Sequence, residues 1–473
     1  MKRKLFILFL CVLTQNMLPA QTVNDELLPL ITIETAEHKM PTYTVVYAPE
    51  GCIGTSITDN SYVEGRMVMT YRGETLYDSK EYQKKVSGIR IKVRGNSTGA
   101  SLAQHPYKVK LTKAYDLLGR EDNNFSHKEW LLLSMYTWNK KMTNSESNIL
   151  HTAGLLMSHL VGQPWTPAYD FVQVIINGEY QGMYYLMEAV SKGVKRVDID
   201  DDGFLIEHDT FWWNEDVYFK TNLQDVTYGY TYKYPDEDDI TESINQEMKA
   251  YMDQVEQAIY EQEKPEQYID ITSFARWMLI HDIMGTDDSA GCNRFLMRKN
   301  NKAPLEMGPT WDYDSMFRSD IGWSTIHYYE SFFFPALFQN TQFVNTYLTL
   351  WKQLRPTILQ DIETGMEEVW TKYGDVFDES MAIHKSKYEW EGMNTLRSQI
   401  DEVKSKLKDR ILLLDPLMEQ LENSTAVTVQ TGSQTRQHAV RISDLQGKIY
   451  IQRPEKGIFI YQFSDGSRRK VIH

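Results

Sequence analysis

The stretch Thr286–Asp314, TDDSAGCNRFLMRKNNKAPLEMGPTWDYD, carries the most specific pattern in the chain. It places Asn293 five residues after Asp288, and the triplet Asp312–Asp314 follows a short apolar run. Carboxylate and amide oxygens can hold Mg²⁺ against phosphate oxygens, and one carboxylate can accept the proton of an attacking hydroxyl. The pattern therefore predicts a phosphotransfer site, with Asp288 as the catalytic residue and Asn293 and Asp312 as metal ligands.

The segments around this stretch indicate the fold. Thr272–Met284 has helical spacing with Asp270 as its expected N-cap, and Phe295–Met297 and Leu305–Met307 are expected to form a hairpin. The order helix, loop, hairpin and Asp-aromatic is that of the C-lobe of a protein kinase. We therefore predict an α+β, divergent protein-kinase-like two-lobe fold.

Two alternating stretches upstream predict strands that flank a polar turn. Ile89–Val93 and Tyr107–Leu111 alternate at period two, as half-buried strands do. The turn between them includes Arg94 and Ser97, and its backbone N–H groups could cover phosphates. We therefore place Arg94 and Ser97 in a predicted nucleotide site.

Four charged residues complete the predicted nucleotide site. Lys108 and Lys110 share one face of their strand, so either can neutralise phosphates, and the pattern does not separate them. Glu146, near the start of the expected helix Asn144–Val161, is a candidate partner for the lysine. Glu188 ends a predicted strand where the chain would cross between lobes beside an adenine.

Composition divides the chain into five segments. Positive Lys2–Lys4 and apolar Leu5–Leu13 are typical of a secretory signal, and the apolar run is too short to span a bilayer. A Ser/Thr/Gln/Gly-rich stretch separates the last predicted helix from a β-rich end. We predict a signal peptide at 1–20, a β region at 21–87, a kinase-like domain at 88–423 (N-lobe 88–190, helical C-lobe 240–423), a linker at 424–438 and a tail at 439–473.

Charge and cysteine content narrow the class of protein. The net charge of −15 at pH 7 argues against a general nucleic-acid binder, since no basic field would recruit a phosphate backbone. After the signal only Cys52 and Cys292 remain. One disulfide and two free thiols are both compatible with this pair.

Several of these motifs together resemble the spore coat protein H (CotH) kinase family. The matching pieces are RGNST with HPYKVKL, VIINGEYQGMYYLME, and the segments around Asp288 and Trp311–Asp314, over roughly residues 88–320. The resemblance implies a kinase that uses ATP and a divalent metal, Mg²⁺ or Mn²⁺, to phosphorylate Ser or Thr of proteins. It gives Asp314 an auxiliary role beside the metal. His105 and Thr143 depart from the family pattern, which usually has Lys and Arg there.

Two functions remain open at this point. The first is an exported protein kinase acting on Ser/Thr of a protein substrate, with AMP transfer on the same scaffold as a variant. The second is an inactive pseudokinase that serves as a cell-surface binding protein or adhesin. The tail Val440–His473 resembles the C-terminal sorting domains of Bacteroidetes-type exported proteins. We therefore expect the protein in the periplasm, on the cell surface or outside the cell.

Overall fold

The structure is a computed structural model that describes most of the chain. It covers residues 23–135, 147–224, 226–286, 292–317, 332–388, 395–430, 439–444, 449–450, 458–463 and 468–472. Asp288 and Glu146 lie outside the described residues, as do Thr143 and the predicted signal peptide. Their assigned roles therefore stay predictions.

Alternating apolar residues form the strands of the first half of the chain. Strand β6, for example, buries Ile89, Ile91 and Val93 and leaves Arg90 and Lys92 on its other face. The described strands before residue 190 are β1 (Leu30–Thr35), β2 (Thr44–Tyr47), β3 (Thr55–Thr58), β4 (Val63–Tyr71), β5 (Glu74–Asp78), β6 (Ile89–Val93), β7 (Tyr107–Tyr115), β8 (His127–Ser134), β9 (Tyr169–Ile176) and β10 (Glu179–Glu188).

Seven of these strands close into a barrel. Their order is β1-β9-β10-β8-β7-β6-β4, and β4 pairs back with β1 to complete the ring. The β1–β9 pair is parallel and the other pairs in the ring are antiparallel. Strand β5 extends from β4 outside the ring, and β2 and β3 form a separate hairpin. Closure leaves the ring without a free edge.

The barrel wall separates two hydrophobic cores. The inner core takes at least one buried apolar residue from each strand of the ring: Ile31, Met67, Ile91, Val109, Leu132, Val174 and Leu186. The neighbouring residues Leu131, Leu133 and Tyr185 point the other way and pack against the helices of the second half of the chain. Strands β8 and β10 are therefore buried on both faces, which fixes the barrel against the helices.

The two-lobe protein-kinase-like fold predicted from the sequence is wrong. The segment predicted as an N-lobe closes into a seven-stranded barrel that also includes β1 and β4, which precede residue 88. Alternation shows which face of a strand is buried, but it does not show which strand lies beside it. The pairing of β1 with β9 joins residues about 140 positions apart, as in Leu30 with Gln173, and no local pattern predicts such a contact.

A five-stranded sheet and a set of helices make up the second half. The sheet has the order β12-β13-β11-β14-β15, with β11 (Phe204–Asp209), β12 (Tyr218–Phe219), β13 (Gly229–Tyr234), β14 (Arg294–Arg298) and β15 (Glu306–Met307). The described α-helices are Ser97–Ser101, Leu150–Leu160, Glu242–Tyr260, Ile271–Met284, Phe334–Leu337, Thr341–Leu354, Ile358–Lys387 and Leu396–Gln430. Within the described ranges, no helix has the length and apolarity needed to cross a membrane.

The helix Ile271–Met284 leads the chain to the predicted site. The Asp270 side chain accepts a hydrogen bond from the Ser273 backbone N–H at 2.6 Å, which confirms the predicted N-cap. Gly285 ends the helix with φ of 60°, a left-handed conformation that glycine adopts without strain. The helix is buried on nearly all sides, so its end is held rigidly.

Two further features concern the cysteines and the C-terminus. No disulfide joins Cys52 to Cys292. The C-terminal strands are β16 (Ala439–Asp444), β17 (Ile449–Tyr450), β18 (Ile458–Phe463) and β19 (Arg468–Ile472), and they form their own sheet in the order β17-β16-β18-β19.

Candidate active site

A cavity of about 700 Å³ is lined by residues of the barrel strands and of the five-stranded sheet. One part of its lining comes from the hairpin strand β3 and from the barrel, namely β6 and the residues after it, β7, β8 and the residues that follow β10. Another part comes from β11, β13, the residues beside β14 and the segment 311–315. A volume of this size is typical of sites for small molecules and cofactors.

The barrel side of the cavity is cationic. Lys92 and Lys108 are direct cross-strand neighbours on β6 and β7, and Arg94 follows Lys92 on the same face. The Lys108 ammonium lies 3.0 Å from Glu129 Oε1, and the Lys110 ammonium lies 3.6 Å from the same atom. Lys108 lines the cavity, whereas Lys110 is not among the described lining residues. The geometry thus separates two lysines that the sequence pattern treated as equivalent.

The turn after β6 has a shape that needs glycine. Gly95 has φ of +87°, and a Cβ there would lie 2.4 Å from Thr98 Oγ1. Asn96, Ser97 and Thr98 all line the cavity beside Arg94. The predicted nucleotide residues Arg94 and Ser97 therefore lie on the same wall as Lys108.

The carboxylates and the amide predicted as metal ligands line the same cavity. Asn293 lies directly before β14, and Asp312 and Asp314 flank Tyr313 in the segment that follows β15. Asp312 has φ of 61°, a left-handed conformation that is uncommon outside glycine. The three predicted metal ligands thus line one cavity together with the cations of the barrel.

The buried environment of Asp312 raises the pKa of its carboxyl group. Burial raises the pKa of Asp312 to about 6, although the Arg94 guanidinium opposes this shift, and the negative charge of Glu207 adds to it. Burial also lowers the pKa of Arg94, which stays a cation at neutral pH. A positive charge delivered into the cavity would stabilise the ionised form of Asp312, as expected of a cation ligand.

Glu188 lies in a buried ion-pair network rather than on the cavity wall. Its side chain is 1% exposed, and Oε1 lies 2.7 Å from the Arg120 guanidinium. Its other oxygen accepts a hydrogen bond from the Ala168 backbone N–H at 3.0 Å. The next two residues, Ala189 and Val190, do line the cavity. Glu188 thus stabilises the end of β10. A contact with the nucleotide was predicted for it, but it is not among the described residues that line the cavity.

Sequence reasoning missed six charged residues of the cavity. They are Lys92, Glu207, Asp209, Glu215, Asp216 and Lys233. Lys92 could have been found, since it shares a strand face with Arg94 at a spacing of two. Glu207 and Asp209 alternate on β11, and Glu207 pairs in register with Phe295 of β14, two residues after Asn293. That strand pairing is non-local, and no short motif indicates it.

The surroundings of Asp209 include Glu207 and Lys233. The Lys233 ammonium lies 2.9 Å from Glu207 Oε2. Burial, with the negative charge of Glu207, raises the pKa of Asp209 to about 8. Asp209 is therefore mostly protonated at neutral pH, and its Oδ1 accepts a hydrogen bond from the Phe211 backbone N–H at 2.7 Å.

Tyr313 anchors the two aspartates to the helix Leu150–Leu160. Its hydroxyl lies 2.6 Å from both Ser158 Oγ and Thr310 Oγ1, and its backbone N–H donates to His151 Nδ1 at 3.3 Å. Burial lowers the pKa of His151 to about 4, so the ring is neutral and can accept this hydrogen bond. The backbone between Asp312 and Asp314 is thus fixed by three contacts.

The chain belongs to the CotH kinase protein family. The family model matches residues 91–412, which include the cationic strands, Asn293 and the aspartates of segment 311–315. The resemblance predicted from the motifs is therefore confirmed, and membership supports a kinase-like function that implies phosphotransfer from ATP. A search of curated proteins gave no match.

His105, which departs from the family pattern, lies away from the cavity wall. Its Nε2 is 3.4 Å from the Tyr43 hydroxyl, and the two rings meet edge to face at 5.1 Å. It is not among the described residues that line the cavity. The change from Lys to His therefore leaves the cationic side of the cavity with Lys92, Arg94 and Lys108.

We expect Gly154→Ala to displace the anchored segment. A Cβ at Gly154 would lie 2.1 Å from Tyr313 Cγ, and the ring cannot retreat without losing its hydrogen bonds. We predict a loss of about 1–3 kcal/mol in the free energy of unfolding, measured by chemical denaturation. Phosphate incorporation should fall at least about tenfold, since both aspartates move with Tyr313.

Gly365→Ala is the matched control for this change. Its Cβ would meet only the movable end of the Leu156 side chain, with Cδ1 at 2.6 Å. It should keep most of the phosphate incorporation. Equal activity of the Gly154→Ala variant and this control would contradict the anchoring role of Tyr313.

Proposed function

We propose that the protein is an exported kinase that transfers the γ-phosphoryl group of ATP to a Ser or Thr hydroxyl of a protein substrate. The observation that carries the proposal is that one cavity is lined both by the cations Lys92, Arg94 and Lys108 and by the oxygen-bearing side chains of Asn293, Asp312 and Asp314. A nucleoside triphosphate with a divalent cation needs both kinds of wall. Membership of a kinase family supports the same reaction class.

The cationic side supplies the contacts for the triphosphate. Lys92, Arg94 and Lys108 carry three positive charges on adjacent strands of a rigid barrel. The turn with Asn96 and Ser97 adds hydrogen-bond donors to the same wall. In this proposal these groups bind and orient the phosphates and stabilise the charge that spreads over the transferred group.

The oxygen side fits a divalent cation. Asn293, Asp312 and Asp314 offer one amide and two carboxylates, the ligand types that Mg²⁺ and Mn²⁺ prefer. When bound, such a cation neutralises charge on the β- and γ-phosphates.

The proposed transfer is a single displacement. The acceptor oxygen forms a bond to the γ-phosphorus, and the bond from that phosphorus to the oxygen of ADP breaks. The carboxylate predicted to take the hydroxyl proton is Asp288, which lies outside the described residues. Asn293 follows Asp288 by five residues in the sequence, so in this proposal a short stretch of chain joins proton acceptance to cation binding.

Export is a separate part of the proposal. It rests on the signal-like sequence of residues 1–20 and on the tail 439–473, which resembles the sorting domains of exported proteins. We propose the periplasm, the cell surface or the medium as the location. Fractionation of cells that express the full chain would test this, with recovery in the cytoplasm as the contrary result.

ATP affinity tests the nucleotide site and separates the two lysines. We expect Lys108→Met to raise the Kd for ATP in the presence of Mg²⁺ by about ten- to a hundredfold, because a charged contact to phosphate is lost. Lys110→Met, on the same face but off the cavity lining, should change it less than about threefold. Isothermal titration calorimetry measures both. Failure of the unmodified protein to bind ATP would leave the non-catalytic binding protein as the better account.

A further inference from the structure

The hairpin β2–β3 lies outside the residues that the family model matches, yet it forms part of the cavity. The match begins at residue 91, and the hairpin occupies Thr44–Tyr47 and Thr55–Thr58. The loop between its strands, strand β3 and the residues after it contribute five lining residues: Ile53, Gly54, Ile57, Thr58 and Asn60. The cavity of this chain therefore includes a wall that its family domain does not supply.

One buried hydroxyl of this hairpin connects the two sides of the cavity. Ser56 is 0% exposed, and its Oγ donates a hydrogen bond to Asn96 Oδ1 at 2.7 Å. The same oxygen accepts a hydrogen bond from Asn214 Nδ2 at 2.9 Å. Asn96 belongs to the turn beside Arg94, and Asn214 belongs to the segment that follows β11. Ser56 thus donates its one hydroxyl proton to Asn96 and accepts a hydrogen bond from Asn214 with a lone pair.

Further contacts fix the hairpin at both ends. The Trp213 indole N–H donates to the Ile53 carbonyl at 3.3 Å, and the Ser97 hydroxyl donates to the Thr55 carbonyl at 3.4 Å. Gly54 has φ of +96°, and a Cβ there would lie 2.6 Å from the Phe211 ring. The backbone around Ser56 is thus held against both neighbours, so its hydroxyl has a defined position.

We propose that Ser56 is a positioning residue for the phosphate contacts of a bound nucleoside triphosphate. It orients the Asn96 side chain and, through it, the segment Arg94–Gly99, which follows β6 and includes the start of the helix Ser97–Ser101. In this proposal the β2–β3 hairpin contributes to nucleotide binding. This proposal rests on the proposed function, since it assigns the turn to phosphate binding.

The test measures ATP affinity in a double-mutant cycle. The Kd for a non-hydrolysable ATP analogue with Mg²⁺ is measured for the full chain, Ser56→Ala, Asn96→Ala and the double variant. We expect Ser56→Ala to raise the Kd about tenfold, which corresponds to one lost hydrogen bond in a buried network. The double variant should bind no more weakly than Asn96→Ala, because Ser56 acts through Asn96. Thr44→Ala, on the exposed face of the same hairpin, should leave the Kd unchanged.

A second variant keeps the proposal testable if Ser56→Ala fails to fold. Asn214→Ala removes the hydrogen bond from Asn214 to Ser56 at a partly exposed position. It should also raise the Kd several-fold, as expected for the loss of one hydrogen bond. Wild-type affinity in both single variants, or additive effects of Ser56→Ala and Asn96→Ala, would overturn the role of Ser56. Absence of binding by the unmodified chain would instead overturn the proposed function, and this inference with it.

Discussion

Replacement of Asp312 by Asn lowers the rate of phosphate transfer at least about a hundredfold, by removing a charge that stabilises the bound cation. The amide has nearly the same shape as the carboxylate, so the cavity keeps its volume. Asn also tolerates the left-handed backbone, with φ of 61°, that residue 312 adopts. The fold should therefore survive, and the loss should appear in activity and in metal affinity.

The measurement for Asp312→Asn is phosphate incorporation at saturating ATP, together with thermal unfolding and Mn²⁺ titration. Asp375→Asn, at an exposed position of the helix Ile358–Lys387, is the matched control and should behave as the unmodified protein. An Asp312→Asn variant that keeps more than about a tenth of the activity would contradict the role of Asp312, because a lost metal ligand costs more than that.

A chain that begins at residue 88 should fail to fold, although it contains the whole region matched by the family model. It lacks β1 and β4, so β9 and β6 each lose one of their two partners and the ring cannot close. Ile31, Ile33 and Met67 leave the inner core with these strands. Each such side chain contributes about 1.5–3 kcal/mol, so the loss is comparable with the whole stability of a domain.

Near-ultraviolet circular dichroism and thermal unfolding test the truncation. We expect no cooperative transition for the chain 88–473. A chain 23–473, which removes only residues outside the described part, serves as the control and should unfold cooperatively. A cooperative transition and normal ATP affinity of the 88–473 chain would show that the barrel can close without β1 and β4.

Local chemistry made part of the fold predictable from the sequence. Asn177 and Gly178 form the two-residue turn between β9 and β10 with φ of 52° and 78°, values that Asn and Gly adopt more readily than other residues. Asp270 and Gly285 mark the ends of the helix Ile271–Met284 because capping depends on neighbouring residues. The ring was not predictable in this way, since β1 reaches its partner β9 across most of the barrel sequence.

The residues of the candidate site also fall into a group that the sequence predicts and a group that it does not. Asn293 and Asp312 were predicted from their spacing and Asp314 from the family resemblance, and the structure brings all three to one cavity with Arg94, Ser97 and Lys108. Lys92, Glu207 and Asp209 belong to strands whose neighbours are set by sheet pairing. Their approach to the cavity depends on tertiary contacts, which a single sequence does not display.

The most direct test of phosphotransfer is the transfer of label from ATP to protein. Purified protein is incubated with Mg²⁺ or Mn²⁺ and with ATP labelled at either the γ or the α position. We predict label from the γ position only, and none with the Asp288→Asn variant. Label from the α position would indicate nucleotidyl transfer instead, and no labelled protein from either nucleotide, together with no ATP binding, would contradict a kinase.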